Sequence, residues 1–376
     1  MTLPVDALAR WARGVLPLAV EQVPLADGLG RVLAEDVHSL RDSPPSAVAA
    51  MDGIAVTAAQ SAALRLTSSE YDVVDTGDVI PSGRDAVVVR EQVSYDGGTA
   101  VLLSPVSAGR HVRATGEDVA RGDLLLPAGR RLRPVDLALA AAGGHVGVPV
   151  RRRPHVVVIP TGDEVRPIGS RTGPGEVLDT NTLMLVAMAT EVGATATSVA
   201  VVPDDPAQLA EAVRTACRTG DLVVVGAGSS AGRDDHTACV LASLGEVLVH
   251  GVAVRPGHPV VLATVEATPV LGSPGYPVSA ALAFDLFAAP LLARQLGTTP
   301  AARPRTTARL GVELTSREGV DEWVRVRLVD GVATPLRGGA GGLASLAAAD
   351  GLLLVPADMT CLTAGAVVEI GLLHAT

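Results

Sequence analysis

Lysine is missing altogether: all 30 basic residues among the 376 are arginines. With Ala and Gly so abundant, this matches a GC-rich coding bias. An arginine standing where lysine would serve therefore carries little information by itself. Aromatic residues are almost as scarce, at 2% against an apolar share of 48%. Any core must be assembled from Ala, Val and Leu. Cys217, Cys239 and Cys361 are odd in number and far apart, which excludes a zinc spacing and a disulfide framework and suits a reducing cytoplasm. Positive charge is short overall: the formal net charge of −10 argues against general nucleic-acid binding, so an anionic substrate would need a local basic pocket. The one dense basic run, Arg151, Arg152 and Arg153, reads as a solvated strand edge. No apolar run reaches membrane-spanning length, because 137–150 is too short and contains His145, and Asp285 interrupts the run near 280. Asp6, Arg10 and Arg13 break up the N-terminal apolar residues and argue against a signal peptide. A cytoplasmic protein with no nucleic-acid or membrane partner is expected.

The length implies more than one domain. Residues 1–40 read as a helix followed by a short extended piece, ended by Pro44 and Pro45. From 45 to 125 short β runs at 73–74, 86–89 and 101–103 alternate with turn residues. Arg133 and Pro134 open an Ala/Leu helix that stops at Gly143 and Gly144. After Pro154 the pattern changes. Strands are expected at 156–159, 195–202 and 222–225, with helices at 181–192 and from Asp205 and Pro206 to about 218. Strands and helices alternating at this spacing imply a parallel sheet with right-handed crossovers. Two further β runs lie near 252–254 and 260–265, and a helix starts near Pro277. Residues 301–304 read as a linker to a small β domain at 305–376.

Residues 221–235 are the most informative stretch: four apolar residues open directly into a Gly/Ser loop ending in Asp234 and Asp235. A loop at the carboxyl end of a parallel strand is where open α/β sheets bind ligands. Small residues let backbone approach a phosphate, and Asp235 can hold a metal or position water. An ordinary strand-to-helix turn with a capping aspartate fits the same residues. Glu164 follows another strand of the same expected sheet, so Glu164 and Asp235 could share a magnesium ion. Ser279 lies in the first turn after Pro277, where free backbone N–H groups attract anions. Arg255 and His258 flank Pro256 and Gly257 on a tight turn and could add positive charge. Singly, each residue also fits a solvated turn, a helix start or a surface histidine; together they point to an oxyanion- or phosphate-handling site.

Several blocks follow one another along nearly the whole chain. Met51, Asp52 and Gly53 match an S-A-M-D-G-Y-A block. Thr76, Gly77, Pro81, Gly83 and Asp85 match T-G-x-x-x-P-x-G-A-D-A-V-V, and Glu91 follows. Arg113, Gly116, Glu117 and Asp118 match V-R-x-x-G-E-D; Thr161, Gly162, Asp163 and Glu164 match T-G-D-E-L. Gly228, Ser230, Gly232 and Asp235 match G-G-V-S-x-G-x-x-D. Pro256, Gly257 and Pro259 match K-P-G-K-P; Pro274, Gly275, Pro277 and Ser279 match L-P-G-N-P-V-S; Arg325 and Gly351 match a C-terminal domain. In this order the blocks closely resemble the molybdopterin molybdenumtransferases, the MoeA family, to which the C-terminal domain of gephyrin is similar.

The resemblance implies a multidomain α/β fold. Its parts are an elongated segment (1–40 and 126–150), a mixed β domain (41–125), a central parallel-sheet α/β/α domain like the molybdopterin adenylyltransferases (151–298), and a C-terminal β-barrel (305–376). It implies an enzyme that takes adenylylated molybdopterin and molybdate with Mg2+, inserts molybdenum into the dithiolene and releases AMP. It also implies a homodimer whose cleft is closed by the partner's β domain. Contacts with a molybdopterin adenylyltransferase and with downstream cofactor-maturation proteins belong to the same picture. Asp52, Thr76, Asp118, Glu164 and Asp235 then map to catalytic positions, with Glu164 and Asp235 on the metal. Arg113, Gly228, Ser230, Gly232, Pro274 and Gly275 map to substrate contacts. Arg255, His258, Ser279, Arg325 and Ala340 map to the molybdate region.

The chain departs from the pattern in that same region. Arg255 and His258 replace two lysines, and Ala340 replaces a serine, losing a donor. Arginine keeps the charge but not the compact ammonium, and histidine is only partly charged near neutral pH. Ala227, Ser273 and Tyr276 replace a glycine, a leucine and an asparagine. These changes keep two alternatives open beside the insertase: a tungstate-using enzyme and a non-catalytic scaffold on the same fold. The carboxylates Asp52, Asp118, Glu164 and Asp235 favour the enzyme, because a scaffold has no need of them.

Overall fold

The computed structural model describes residues 2–226 and 236–373. The chain forms two compact units, residues 20–150 and the remainder.

In the larger unit, a six-stranded sheet runs in the order Thr195–Ser198, His155–Pro160, Leu222–Gly226, Thr268–Ser273, Val261–Val265, Glu246–His250. The first three strands are parallel, as the alternating pattern predicts; Thr268–Ser273, not expected from the sequence, adds a fourth parallel strand, and the last two are antiparallel additions. Successive side chains point to opposite faces, and both faces are apolar. Val156, Val158, Leu222 and Val224 pack on one side with Trp11, Leu185, Phe284 and Phe287. Val157, Ile159, Val223 and Val225 pack on the other with Leu209, Val213 and Leu241. This is a three-layer α/β/α arrangement.

The helices start where their caps dictate. Asp205 accepts from the Gln208 amide at 2.8 Å, and Pro206 occupies the first turn of Pro206–Cys217. Asp179 caps Thr180–Glu191 in the same way, at 3.0 Å from the Thr182 amide. The strand expected at 195–202 stops at Ser198, although the Val199 and Val202 amides still donate to Val158 and Pro160. The arginine run is not a solvated edge. Arg152 grips the Asp221 carboxylate at 2.7 and 2.9 Å, and Arg151 donates to the Leu18 carbonyl. The Asp221 carboxylate also accepts from the His155 amide, so it ties the starts of two adjacent strands.

Residues Pro277–Gln295 form one helix of 19 residues with a π-helical turn at Phe284–Ala288. By length and composition alone it is long and apolar enough to cross a membrane. Its apolar residues face protein instead: Phe284, Phe287, Leu291 and Leu292 are fully buried. Asp285, the interrupting acid, pairs with Arg303.

The C-terminal strands Arg305–Leu310, Asp321–Val329, Val332–Pro335, Gly351–Val355 and Val367–Leu372 close into a five-stranded barrel, because Asp321–Val329 pairs with both Val332–Pro335 and Gly351–Val355. Leu310, Val326, Ala333, Leu353 and Ile370 fill it. The strand Val254–Arg255 joins this sheet in parallel, placing Arg255 opposite Glu322.

Within the unit at 20–150, Gly53–Val56 is the middle strand between Tyr71–Val74 and Ala86–Val89. All four of its residues are buried. Ile54 and Val56 face one core, with Leu66 and Leu102 of a second small sheet; Ala55 faces the other. The helix Pro134–Ala142 ends at Gly143, where the reading placed its stop. Its Asp136 is 3% exposed and held by Arg130 at 2.8 Å and by Arg133. Hydrogen bonds from the Arg133 side chain, then from Arg130 and the Arg133 amide, hold its carboxyl far below the ordinary carboxylate range, against the opposing effect of burial. A depressed pKa stabilises the fold fully above the unfolded value of about 3.9 and loses that effect as pH falls through the folded value. Asp136→Asn should therefore cost on the order of 1–3 kcal/mol at neutral pH. In urea titrations at stepped pH, the gap from wild type should narrow only below about pH 4.

Candidate functional site

The carboxyl ends of His155–Pro160 and Leu222–Gly226 are locked together: both the amide and the hydroxyl of Thr161 donate to the Gly226 carbonyl, at 3.0 and 2.8 Å. Beyond them opens a cavity of about 1210 Å³, walled by the α/β sheet edge on one side and the barrel on the other. Glu164, Arg255, His258, Pro274, Gly275, Ser279 and Arg325 all line it. With Ala340, which also lines it, the structure gathers eight of the site residues singled out by the sequence. Gly228, Ser230, Gly232 and Asp235 lie outside the described residues. The strand that leads into them ends at Gly226 on the cavity wall.

The cavity is cationic at one end. Arg255 is mostly exposed, and its Nε stands 3.8 Å from Glu322. His258 approaches the Val252 carbonyl through Nδ1 at 3.2 Å. A carbonyl only accepts, so Nδ1 carries the proton and the neutral ring keeps its lone pair on Nε2. A second proton there makes His258 a donor and a cation. Ser279 is 2% exposed and lies on the wall formed by Pro277–Ala283.

Arg325 is the informative cation. It is 8% exposed, and its guanidinium donates to the Gly338 and Gly339 carbonyls. Among the described residues it has no carboxylate partner. Burial lowers its pKa, but a guanidinium stays charged at any working pH. Two carbonyls leave part of a five-donor fork unused. A buried charge without a counter-ion is costly, and an anion in the cavity would supply one.

Glu164 is exposed on the cavity wall, and its carboxylate makes no hydrogen bond or ion pair among the described residues. Gly162 leaves room for it: a Cβ there would come within 2.7 Å of Glu164 Oε2. Among the described residues no cluster of three His, Cys, Asp or Glu could hold a metal ion.

The remaining residues lie in the unit at 20–150. Asp52 accepts at 2.8 Å from both the amide and the hydroxyl of Thr76. These two bonds, the amide's first, hold its carboxyl below the ordinary range. Arg113 pairs with Glu117 at 3.2 Å, and Asp118 is exposed, its amide donating to the Ser43 carbonyl.

Family models cover almost all of this architecture. Residues 4–144 match the MoeA N-terminal region (domain I and II), residues 157–294 a probable molybdopterin binding domain, and residues 307–373 the MoeA C-terminal region (domain IV). The chain belongs to the MoeA family of molybdopterin molybdenumtransferases. It is 31% identical to molybdopterin molybdenumtransferase 2 of Mycobacterium tuberculosis, over 96% of each chain. It is 31% identical to the molybdopterin molybdenumtransferase of Haemophilus influenzae, over 77% of this chain and 76% of that one. A crystal structure of a molybdopterin biosynthesis MoeA protein from Pyrococcus horikoshii superposes over 100% of both chains, with 33% identity and a TM-score of 0.89.

Sequence reading of this MoeA chain missed Glu322, Trp323 and Asn181. Trp323 and Arg325 share one side of a β-strand, so the alternation in D-E-W-V-R was the available signal. Glu322 keeps one buried oxygen without a partner beside Arg255. Asn181 donates to the Gly275 carbonyl at 2.7 Å and fixes the turn that carries Tyr276. That contact spans distant parts of the chain and has no local signature.

Proposed function

We propose that this chain is a transferase of molybdenum cofactor biosynthesis that inserts molybdenum from molybdate into adenylylated molybdopterin and releases AMP. The observation that carries the reading is Arg325: a buried guanidinium without a carboxylate partner among the described residues, on the wall of a cavity that also holds Arg255, Ser279 and His258. A tetrahedral oxyanion satisfies those donors. Arg325 and Arg255 would balance its charge, Ser279 would donate a hydrogen bond, and protonated His258 would add another. The cavity is large enough for the pterin and adenylate ends of the substrate as well. Glu164, together with Asp235, would hold magnesium on the phosphates. Bound there, magnesium neutralises phosphate charge and makes the phosphorus a better electrophile. The reading includes a homodimer, and roles for Asp52, Thr76, Asp118 and Arg113 in the reaction.

The test is AMP release from the adenylylated substrate. Glu164→Gln should slow it by about tenfold to a hundredfold while leaving molybdate affinity unchanged. An unchanged rate would remove Glu164 from the reaction.

A further inference from the structure

The chain contains two Trp, three Tyr and two Phe. Trp11, Phe284 and Phe287 are buried in the α/β core. Tyr71 and Tyr95 pair with each other, ring centroids 6.2 Å apart. The two that remain, Tyr276 and Trp323, both line the cavity. Trp323 is half-buried against the core, whereas Tyr276 is 65% exposed.

The backbone around Tyr276 is fixed on three sides. Asn181 donates to the Gly275 carbonyl at 2.7 Å, the Val278 amide donates to Ala340 at 3.0 Å, and the Ala280 amide donates to Tyr276 itself at 2.9 Å. One side of the ring rests on Gly341, where a Cβ would stand 3.3 Å from Cδ1 and 3.6 Å from Cε1. Its hydroxyl has no partner among the described residues. A flat ring that lines the cavity, touches a glycine loop along one edge and is otherwise exposed can stack against another flat ring.

We propose that Tyr276 is a stacking platform for a fused heteroaromatic ring of the substrate, the pterin or the purine. This rests on the function proposed above and adds a specificity residue to it. Truncating such a platform weakens ring binding on the order of tenfold.

The experiment is calorimetric titration of the full chain with AMP and with a free pterin, separately, for wild type, Tyr276→Phe and Tyr276→Asn. Phenylalanine should bind within about twofold of wild type, because the π-face is kept. Asparagine should lose about tenfold for one ring, and that ring is the occupant. Molybdate affinity should be equal in all three proteins. If neither ring binds wild type at millimolar concentration, or if Tyr276→Asn binds both as wild type does, the platform is refuted. The proposed function would still stand if AMP is released from intact adenylylated substrate. Wild type that cannot bind the intact substrate overturns both.

Discussion

Arg325→Met should weaken molybdate binding by about tenfold to a hundredfold, since each hydrogen bond to a charged group contributes about 1.5–3 kcal/mol. Methionine keeps the stem's length and apolar contacts but removes the cation. Arg325→Lys should recover only part of the loss, because an ammonium cannot reproduce the planar fork that also reaches the Gly338 and Gly339 carbonyls. The melting temperature should move little in Arg325→Met. Losing two anchors of the 338–342 loop destabilises, whereas removing a desolvated charge stabilises, and these oppose each other. Titration of molybdate by calorimetry reads the first effect and thermal denaturation the second. Methionine binding molybdate as tightly as arginine would show that this buried charge serves the loop and not an anion.

Gly53→Ala should cost more than about 3 kcal/mol and leave the 20–150 unit largely unfolded. A Cβ at Gly53 would lie 2.0 Å from the Val88 carbonyl oxygen and 3.0 Å from Val89 Cα. Neither neighbour can retreat, because Gly53 is paired with Val74 on one side and Val89 on the other. Its φ is not left-handed, so the requirement is space alone. Gly83 poses the opposite case: open surroundings but a φ of +83°. Gly83→Ala should therefore cost only about 1–2 kcal/mol. Urea midpoints of the two variants separate the causes. A Gly53→Ala protein within about 1 kcal/mol of wild type would contradict the packing described here. The same comparison bears on the Met51, Asp52, Gly53 block. Its glycine holds the sheet, while its aspartate is the exposed group bonded to Thr76.

What was legible in the chain was local. Asp205 followed by proline, the apolar run before Gly226 and the glycines after Ala142 are each read within a few residues, and each stands where expected. The antiparallel side of the large sheet was not foreseen. Its hairpin turns at Glu266 and Ala267, with φ of 49° and 70°, a left-handed bend that usually announces itself by Gly or Asn. Closure of the barrel and the parallel pairing of Arg255 with Glu322 depend on contacts between distant segments, which no window of sequence contains. The cavity follows the same rule. Arg255, His258 and Ser279 could be suspected from their turns, but the burial of Arg325 and the seat of Tyr276 on Gly341 exist only once the barrel is folded against the α/β sheet.

Release of AMP from adenylylated molybdopterin in a single turnover, with purified chain and magnesium, tests the central claim most directly. The account predicts about one AMP per bound substrate, only when molybdate or tungstate is added, with a product that reconstitutes an apo-molybdoenzyme. Substrate that binds in the cavity and remains intact with either oxyanion would contradict it.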